Sequence, residues 1–424
     1  MKAACLCVQT AVTEESGGSV YSGALDVLRG RGVEIIDGGG AADASQAEKA
    51  AAGLMRGDPD ILILVVLSGR SAPVIKAAGE MSTVPVLLWA IGKNFAFPSS
   101  ALASGALEEA GRPFRLIHGY PENGETVSAA METVCVSHAV TRLKGSKIGL
   151  IGGLFFNLVS CGYDPAIIKE KFGVELKPFS YDVLRSLTMK DGPAREDELN
   201  GLKGLCRSFC LKVPEDSLVP GLKLHMALKR LSERERLDAF AIECWTGLPK
   251  ELGLNPCLGF IEDAYIIACE GDAVLSVMLS AIRRMTGRIP FVGDVQYIDE
   301  NDIMTLSHCG ASAALAADGD VVLSESAAAG EQGFPTVTCR PGLENGPVTL
   351  ARLFGSKCDR IHMARGELVA LDRADSYTAL IRLSGGREDF IGACSGNHYI
   401  MVSGDIRAKL RLFGKWMRID VKET

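Results

Sequence analysis

Short apolar runs alternate with segments of helical periodicity through the first 140 residues, and no other feature of the sequence constrains the fold as tightly. The runs cover residues 3–10, 33–36, 61–67 and 84–90. Alternation of this kind produces a parallel sheet covered by helices on both faces. The run at 61–67 has strand length, far short of a membrane span. Asp37-Gly-Gly-Gly40 and Leu67-Ser68-Gly69 fall at strand ends, where they read as tight turns before they read as phosphate-binding loops.

A second α/β pattern begins near Lys147. Its strand runs into a glycine turn across 148–157, but neither GxGxxG nor GxxxxGK[ST] is present, so a nucleotide site is not indicated. A charged helix at 222–236 precedes a strand at 239–244, then Trp245 and a loop containing Pro256 and Gly259. Past residue 305 the pattern changes to short strands, at 320–323, 335–339, 360–365, 377–383 and 398–402, separated by Gly, Asp and Ser turns. Such spacing suggests an antiparallel sheet or barrel. A helix follows at 405–416, with Ile406, Leu410, Leu412 and Phe413 at helical spacing. The expectation is an α/β chain: two Rossmann-like parallel-sheet domains, residues 1–143 and 144–304, then a β-rich, barrel-like C-terminal domain, residues 305–424.

Composition narrows the function classes. At 424 residues the chain exceeds one ordinary core, and its 47% hydrophobic and 23% charged residues are those of a globular protein. The net charge of −7 is spread without blocks, which points away from nucleic acid and anionic membranes. The first residues already read as a strand and leave no room for a signal peptide. Thirteen cysteines occur singly, with one Cys5-x-Cys7 and no CxxC pair, the pattern of reduced thiols in a cytoplasmic protein rather than of a zinc-thiolate site.

The chemistry concentrates between residues 268 and 310. The apolar run 265–269 stops at Glu270, and Asp272 follows as a helix N-cap. Val274, Leu275, Met278, Leu279, Ile282 and Met285 then recur at helical spacing, with Arg283 and Arg284 in the last turn and Gly287 at the C-cap position. Residues 289–292 read as the return strand of a parallel crossover, with Asp294 just past its end. Glu270 and Asp294 are thereby expected side by side at the carboxyl edge of one sheet. Adjacent buried carboxylates stay ionised only when a cation or strong donors compensate them. Oxygen ligands with a histidine suit Mn²⁺, Mg²⁺ or a similar divalent ion, the histidine being His308, His398 or both. The competing reading makes the two carboxylates helix caps or solvated loop residues.

Ala-Cys-Glu-Gly-Asp at 268–272, the Asp of Phe-Val-Gly-Asp at 291–294, Ser-His-Cys-Gly at 307–310 and Gly-Asn-His at 396–398 together resemble the L-fucose isomerase and L-arabinose isomerase superfamily. The order α/β, α/β, β-rich matches it over essentially the whole chain. The resemblance implies a metal-dependent aldose–ketose isomerase acting through a metal-stabilised enediolate. Glu270, Asp294 and His398 would hold Mn²⁺, or another divalent cation such as Mg²⁺ or Co²⁺, with Glu270 the base on one carbon and Asp294 acting opposite it. Asn397 would contact the sugar. His308 matches a ligand of the arabinose-isomerase branch that the fucose-type triad does without, and Trp89 falls where such enzymes place an aromatic that covers a sugar. The implied assembly is a homo-oligomer, a trimer or hexamer, with a small-molecule sugar as its partner. An epimerase or aldol-type lyase could use the same scaffold, and a non-catalytic sugar-binding protein is the reading from another class. His118, His138, His225 and His362 read as surface or structural histidines. Trp245 reads equally as pocket lining or domain packing, and Arg340, Arg352 and Arg365 read first as surface or interdomain contacts and second as partners of an anionic group on the sugar.

Overall fold

The computed structural model describes residues 1–10, 17–189, 192–316, 318–326 and 336–424. Pro335, the first residue of the strand expected at 335–339, lies outside them. The chain divides into two compact units, Met1–Arg142 and Leu143–Thr424.

In the first unit, β1 (Lys2–Val8), β2 (Glu34–Ala41), β3 (Ile61–Val66), β4 (Val86–Ala90) and β5 (Phe114–His118) form a parallel sheet in the order β2-β1-β3-β4-β5. The central strand β3 is buried throughout because both faces are covered. Leu62, Leu64 and Val66 pack into one core, and Ile61, Ile63 and Val65 into the other. The glycines expected in a turn at 37–40 instead continue β2. Their lack of side chains has a packing reason: a Cβ on Gly38 would lie 2.7 Å from Leu54 Cδ1, on the helix Ala44–Met55.

The second unit opens with β6 (Lys147–Ile151), β7 (Glu175–Phe179), the two-residue β8 (Cys210–Leu211), β9 (Ala239–Ile242) and β10 (Ile266–Cys269). Four of them make a parallel sheet in the order β10-β9-β6-β7. The helix Ala273–Thr286 is buried nearly all round. It packs on β10, β9 and β6 along one side and touches β15 (Gly346–Phe354), which the next paragraph places.

The expected return strand does not rejoin this sheet. The segment lengthens into β11 (Phe291–Ile298), which pairs antiparallel with β12 (Ile303–His308) and with the later strand His398–Ser403. The physical reason is visible in the residues. A strand covered on both faces is apolar throughout, as in Ala239–Ile242, whereas Phe-Val-Gly-Asp-Val-Gln-Tyr-Ile carries Asp294 and Gln296 within it and stays half-exposed. After β13 (Val321–Glu325) and β14 (Val337–Pro341) come β15, β16 (Arg360–Asp372), β17 (Tyr377–Leu383), β18 (His398–Ser403) and β19 (Asp420–Glu423). Strands β15-β18-β11-β12-β17-β16 close into an antiparallel barrel through the β15–β16 pairing, and β19 adds to β16 in parallel. The barrel strands thus begin at Phe291. Strands β13 and β14 stand apart in a small sheet with β8. The barrel core includes Phe291, Leu306, Leu350, Tyr377, Tyr399 and Met401.

Three of the histidines read as structural are so here. His138 Nδ1 meets the buried Asp60 carboxylate at 2.9 Å, and His225 lies between Tyr265 Oη and Glu262 Oε2. His362 is fully buried between Tyr399 Oη at 2.6 Å and Thr424 Oγ1 at 2.9 Å. Burial, and then the nearby Lys422 charge, lower its pKa from 6.5 to about 4. Between those values the unfolded chain takes up a proton that the native protein refuses, so stability is lost as pH falls from 6.5 towards 4. The slope from this one group approaches about 1.4 kcal/mol per pH unit inside the window. In urea titrations across this range, His362→Gln is expected to flatten the pH dependence by that amount; an unchanged slope would remove His362 as its source.

Among the described residues no helix is long and apolar enough to cross a membrane, and all thirteen cysteines are free thiols.

Candidate metal centre

The turn after β10 builds one half of the site. Glu270 takes a left-handed backbone, with φ of 59°, and Gly271 follows at 76°. The glycine is required there, because a Cβ on Gly271 would lie 1.8 Å from the Gly153 carbonyl oxygen. Phe155 N donates to Glu270 O at 2.9 Å, and Gly271 N donates to Ile242 O at 2.9 Å, which fixes the turn between two neighbouring loops. Asp272 then caps the helix, accepting from Leu275 N at 2.9 Å.

The barrel supplies the other half. Asp294 on β11 stands directly opposite His398 on β18, so their side chains share one face of the sheet. His398 Nε2 lies 3.7 Å from Glu270 Oε2 and 3.6 Å from Asp294 Oδ1. One ligand atom from each of the three lies within 4.8 Å of the others. Glu270 and Asp294 therefore meet through the joining of a parallel sheet to a barrel, not along one sheet edge.

The donor set fits a divalent ion. His398 Nε2 is buried without a hydrogen-bond partner, an expensive state for an imidazole nitrogen unless a cation takes its lone pair. Its separations from the two carboxylates exceed hydrogen-bond length, yet they match ligand atoms that surround one ion at about 2.1 Å each. The other ring nitrogen, Nδ1, lies 3.2 Å from Asp272 Oδ2. A carboxylate behind a histidine fixes its tautomer and leaves Nε2 free to face a metal.

The electrostatics agree. Burial pushes the Glu270 carboxyl above its ordinary range; His398 opposes this, and the Asp294 charge reinforces it. Burial, the largest influence, raises Asp272 as well, but its hydrogen bond with His398, the His398 and Arg352 charges and the Leu275 N–H together outweigh it and leave Asp272 lowered. Burial disfavours the charged ring of His398, yet Asp272 together with Cys161 and Asp294 holds it up to about 10. Three carboxylates thus converge where a positive charge is strongly favoured. Cys161, Asp272 and His398 form a second close group. That place already has its cation, since Arg352 Nη2 donates to Cys161 Sγ at 3.2 Å.

Glu270 and Asp294 line a pocket of about 500 Å³, with His398 buried behind them. Asn397, His308 and Trp245 line it. Asn397 Nδ2 donates to Asp294 Oδ1 and so orients the carboxylate. His308 ends β12 on the pocket wall, and among the described residues it belongs to no close ligand group. Trp89 is elsewhere. It is fully buried in the core of the first unit, with Nε1 donating to Gly119 O at 2.9 Å, so it has no exposed ring face to cover a sugar.

The supporting roles of three residues escaped the sequence reading. Asp272 was legible as a cap, but nothing local announces its contact with a histidine that lies far along the chain. Arg340, read as a surface or interdomain contact, is buried with partners inside the C-terminal region, whereas Arg352, also buried, does join the two expected domains through Cys161. Arg352 Nη1 donates to His398 O at 2.6 Å, and the adjacent Gly396 leaves space that a Cβ would take, 2.7 Å from the guanidinium carbon.

No family model matches the chain. It is 25% identical over 397 residues to a sulfoquinovose isomerase of Alkalicoccus urumqiensis, covering 86% of each protein. It is 24% identical over 339 residues to the sulfoquinovose isomerase of Priestia aryabhattai, covering 75% of this chain and 73% of that one. Among solved structures, a periplasmic solute-binding protein of an ABC transporter from Actinobacillus succinogenes 130z, with bound D-allose, shares 12% identity. It covers 68% of this chain and 92% of its own at a TM-score of 0.21, a score too low to carry an argument. The likeness to sugar isomerases, which extends over most of the chain, supports reading this protein as an enzyme, an isomerase that acts on a sugar.

Proposed function

We propose that the protein is a metal-dependent aldose–ketose isomerase of the fucose and arabinose isomerase type, acting on a monosaccharide or sugar derivative. The observation that carries this reading is the unpartnered His398 Nε2, buried behind Glu270 and Asp294, two carboxylates that line one pocket, in a chain similar to sulfoquinovose isomerases.

Glu270, Asp294 and His398 would hold the cation, which when bound supplies a Lewis acid for a sugar carbonyl and the neighbouring hydroxyl. The residues of the chain do the rest. Glu270, whose burial raises its pKa towards the range of a useful acid–base group, takes the proton from the carbon beside the carbonyl and returns it to the adjacent carbon through an enediolate. Asp294, steadied by Asn397, faces the same substrate oxygens and relays the hydroxyl proton. Asp272 keeps the Nδ1 proton of His398 in place, and Phe155, Leu158 and Trp245 add apolar surface to the pocket lining.

A panel of aldoses headed by sulfoquinovose, the substrate in the relatives' name, tests the reading. Ketose formation is expected to fall to background after EDTA treatment and to return with added Mn²⁺. A fully active metal-free protein would refute metal dependence, and metal binding without any ketose would favour an epimerase or aldol-type lyase.

A further inference from the structure

The barrel register continues the line of the metal centre. On β18, β11, β12 and β17, four adjacent strands, His398 stands opposite Asp294, Asp294 opposite Ser307, and Ser307 opposite Thr378. Directly opposed residues share a face, so these side chains form one row across the sheet. Neighbouring strands are about 4.8 Å apart, which puts Ser307 roughly 5 Å and Thr378 roughly 10 Å from Asp294 along the row. A sugar held at one end by two adjacent oxygens extends its remaining carbons over that distance.

The far part of the row is built for hydroxyls. Ser307 Oγ contacts Thr378 Oγ1 at 2.8 Å and Ser376 Oγ at 3.1 Å, and Ser376 Oγ contacts Thr378 Oγ1 at 2.8 Å. Three hydroxyls in a ring use their three protons on one another and keep lone pairs to accept from a ligand. Ser307, Ser376 and Asp375 all line the same pocket as Glu270 and Asp294, and Thr378 contacts the two serines.

A buried guanidinium holds this wall. Arg340 is fully buried and spends the donors of its two Nη groups on main-chain carbonyls: Arg373 at 3.1 Å, Ala374, Asp375 at 2.6 Å and Glu325 at 2.8 Å. Burial lowers its pKa, and the foremost charge acting against that is Asp375. One side chain thus fixes the loop that carries Asp375 and Ser376, and does so without touching the pocket.

We propose that Ser307, Ser376 and Asp375 form the subsite for the sugar hydroxyls beyond the two oxygens at the metal end, with Thr378 and Arg340 as positioning residues. The inference rests on the isomerase reading and adds where the rest of the polyol chain lies. The probe is the alditol obtained by reducing the aldose that the protein turns over fastest, titrated calorimetrically into Mn²⁺-loaded protein. Ser376→Ala and Asp375→Asn are each expected to raise its Kd about tenfold, and the KM of the parent aldose with it, the effect of losing one hydrogen bond to a buried or charged group. Bound Mn²⁺ and the thermal midpoint are read on the same samples to exclude a misfolded variant. If both folded, metal-loaded variants bind the alditol as tightly as the wild type, the subsite is overturned while the isomerase stands. If no aldose is turned over, the isomerase reading falls and this one with it.

Discussion

Glu270→Gln is expected to lower kcat by about a thousandfold or more, equivalent to about 4 kcal/mol of transition-state stabilisation. The substitution keeps the shape of the side chain, so the left-handed turn at Glu270 and the contact of its carbonyl with Phe155 N should survive. It removes a proton acceptor and one of the negative charges facing His398 Nε2. Both losses act on the chemistry. A Glu270→Gln protein that is folded, carries Mn²⁺ and works within tenfold of the wild type would show that another group moves the proton.

Asp272→Asn is expected to weaken Mn²⁺ binding tenfold to a hundredfold, although Asp272 would not touch the ion. The reason lies in which atom faces which neighbour. Asp272 Oδ1 accepts from Leu275 N, while Oδ2 faces His398 Nδ1. An asparagine that keeps its oxygen on the helix cap turns its NH₂ group to His398. The imidazole then does best by accepting at Nδ1 and carrying its proton on Nε2, where a lone pair is needed. Because the cap remains, the thermal midpoint should change little while the calorimetric Mn²⁺ affinity drops. Unchanged affinity would mean that the tautomer is held by something other than Asp272.

The close group of Glu270, Asp294 and His398, which could hold a metal ion, was legible in the sequence as far as short motifs allow. Glu270 ends an apolar run, Asp272 and Gly287 bracket a helical pattern, and both caps are where the residues place them. Capping is a local competition for backbone hydrogen bonds, so local residues decide it. The partner of β11 is a different kind of question. Residues 289–292 read well as a strand, but stopping there left out the alternation through Ile298 that marks a strand with one wet face. That alternation could have been read; which strands would flank β11 could not.

Trp89 shows the opposite failure. Its place at the end of an apolar strand was correct, and its role was taken from resemblance alone. A strand covered on both faces buries every side chain it carries, and Trp89 found a main-chain acceptor within the core. Arg340 failed for a related reason, since an arginine is normally exposed and only a surrounding cage of carbonyls makes burial tolerable.

By itself the sequence determined the local elements: apolar periods, helix caps and the identity of the groups able to hold a cation. Tertiary structure alone decided that β11 leaves the parallel sheet for the barrel, that His398, Asp294, Ser307 and Thr378 fall into one row, and that Asp272 and Arg352 stand behind the histidine. Elements form from contacts between residues near in sequence, whose pattern is written in the chain. The site forms from strand pairings between residues far apart, and these are selected by which closure buries the most apolar surface while leaving the fewest polar groups unpaired.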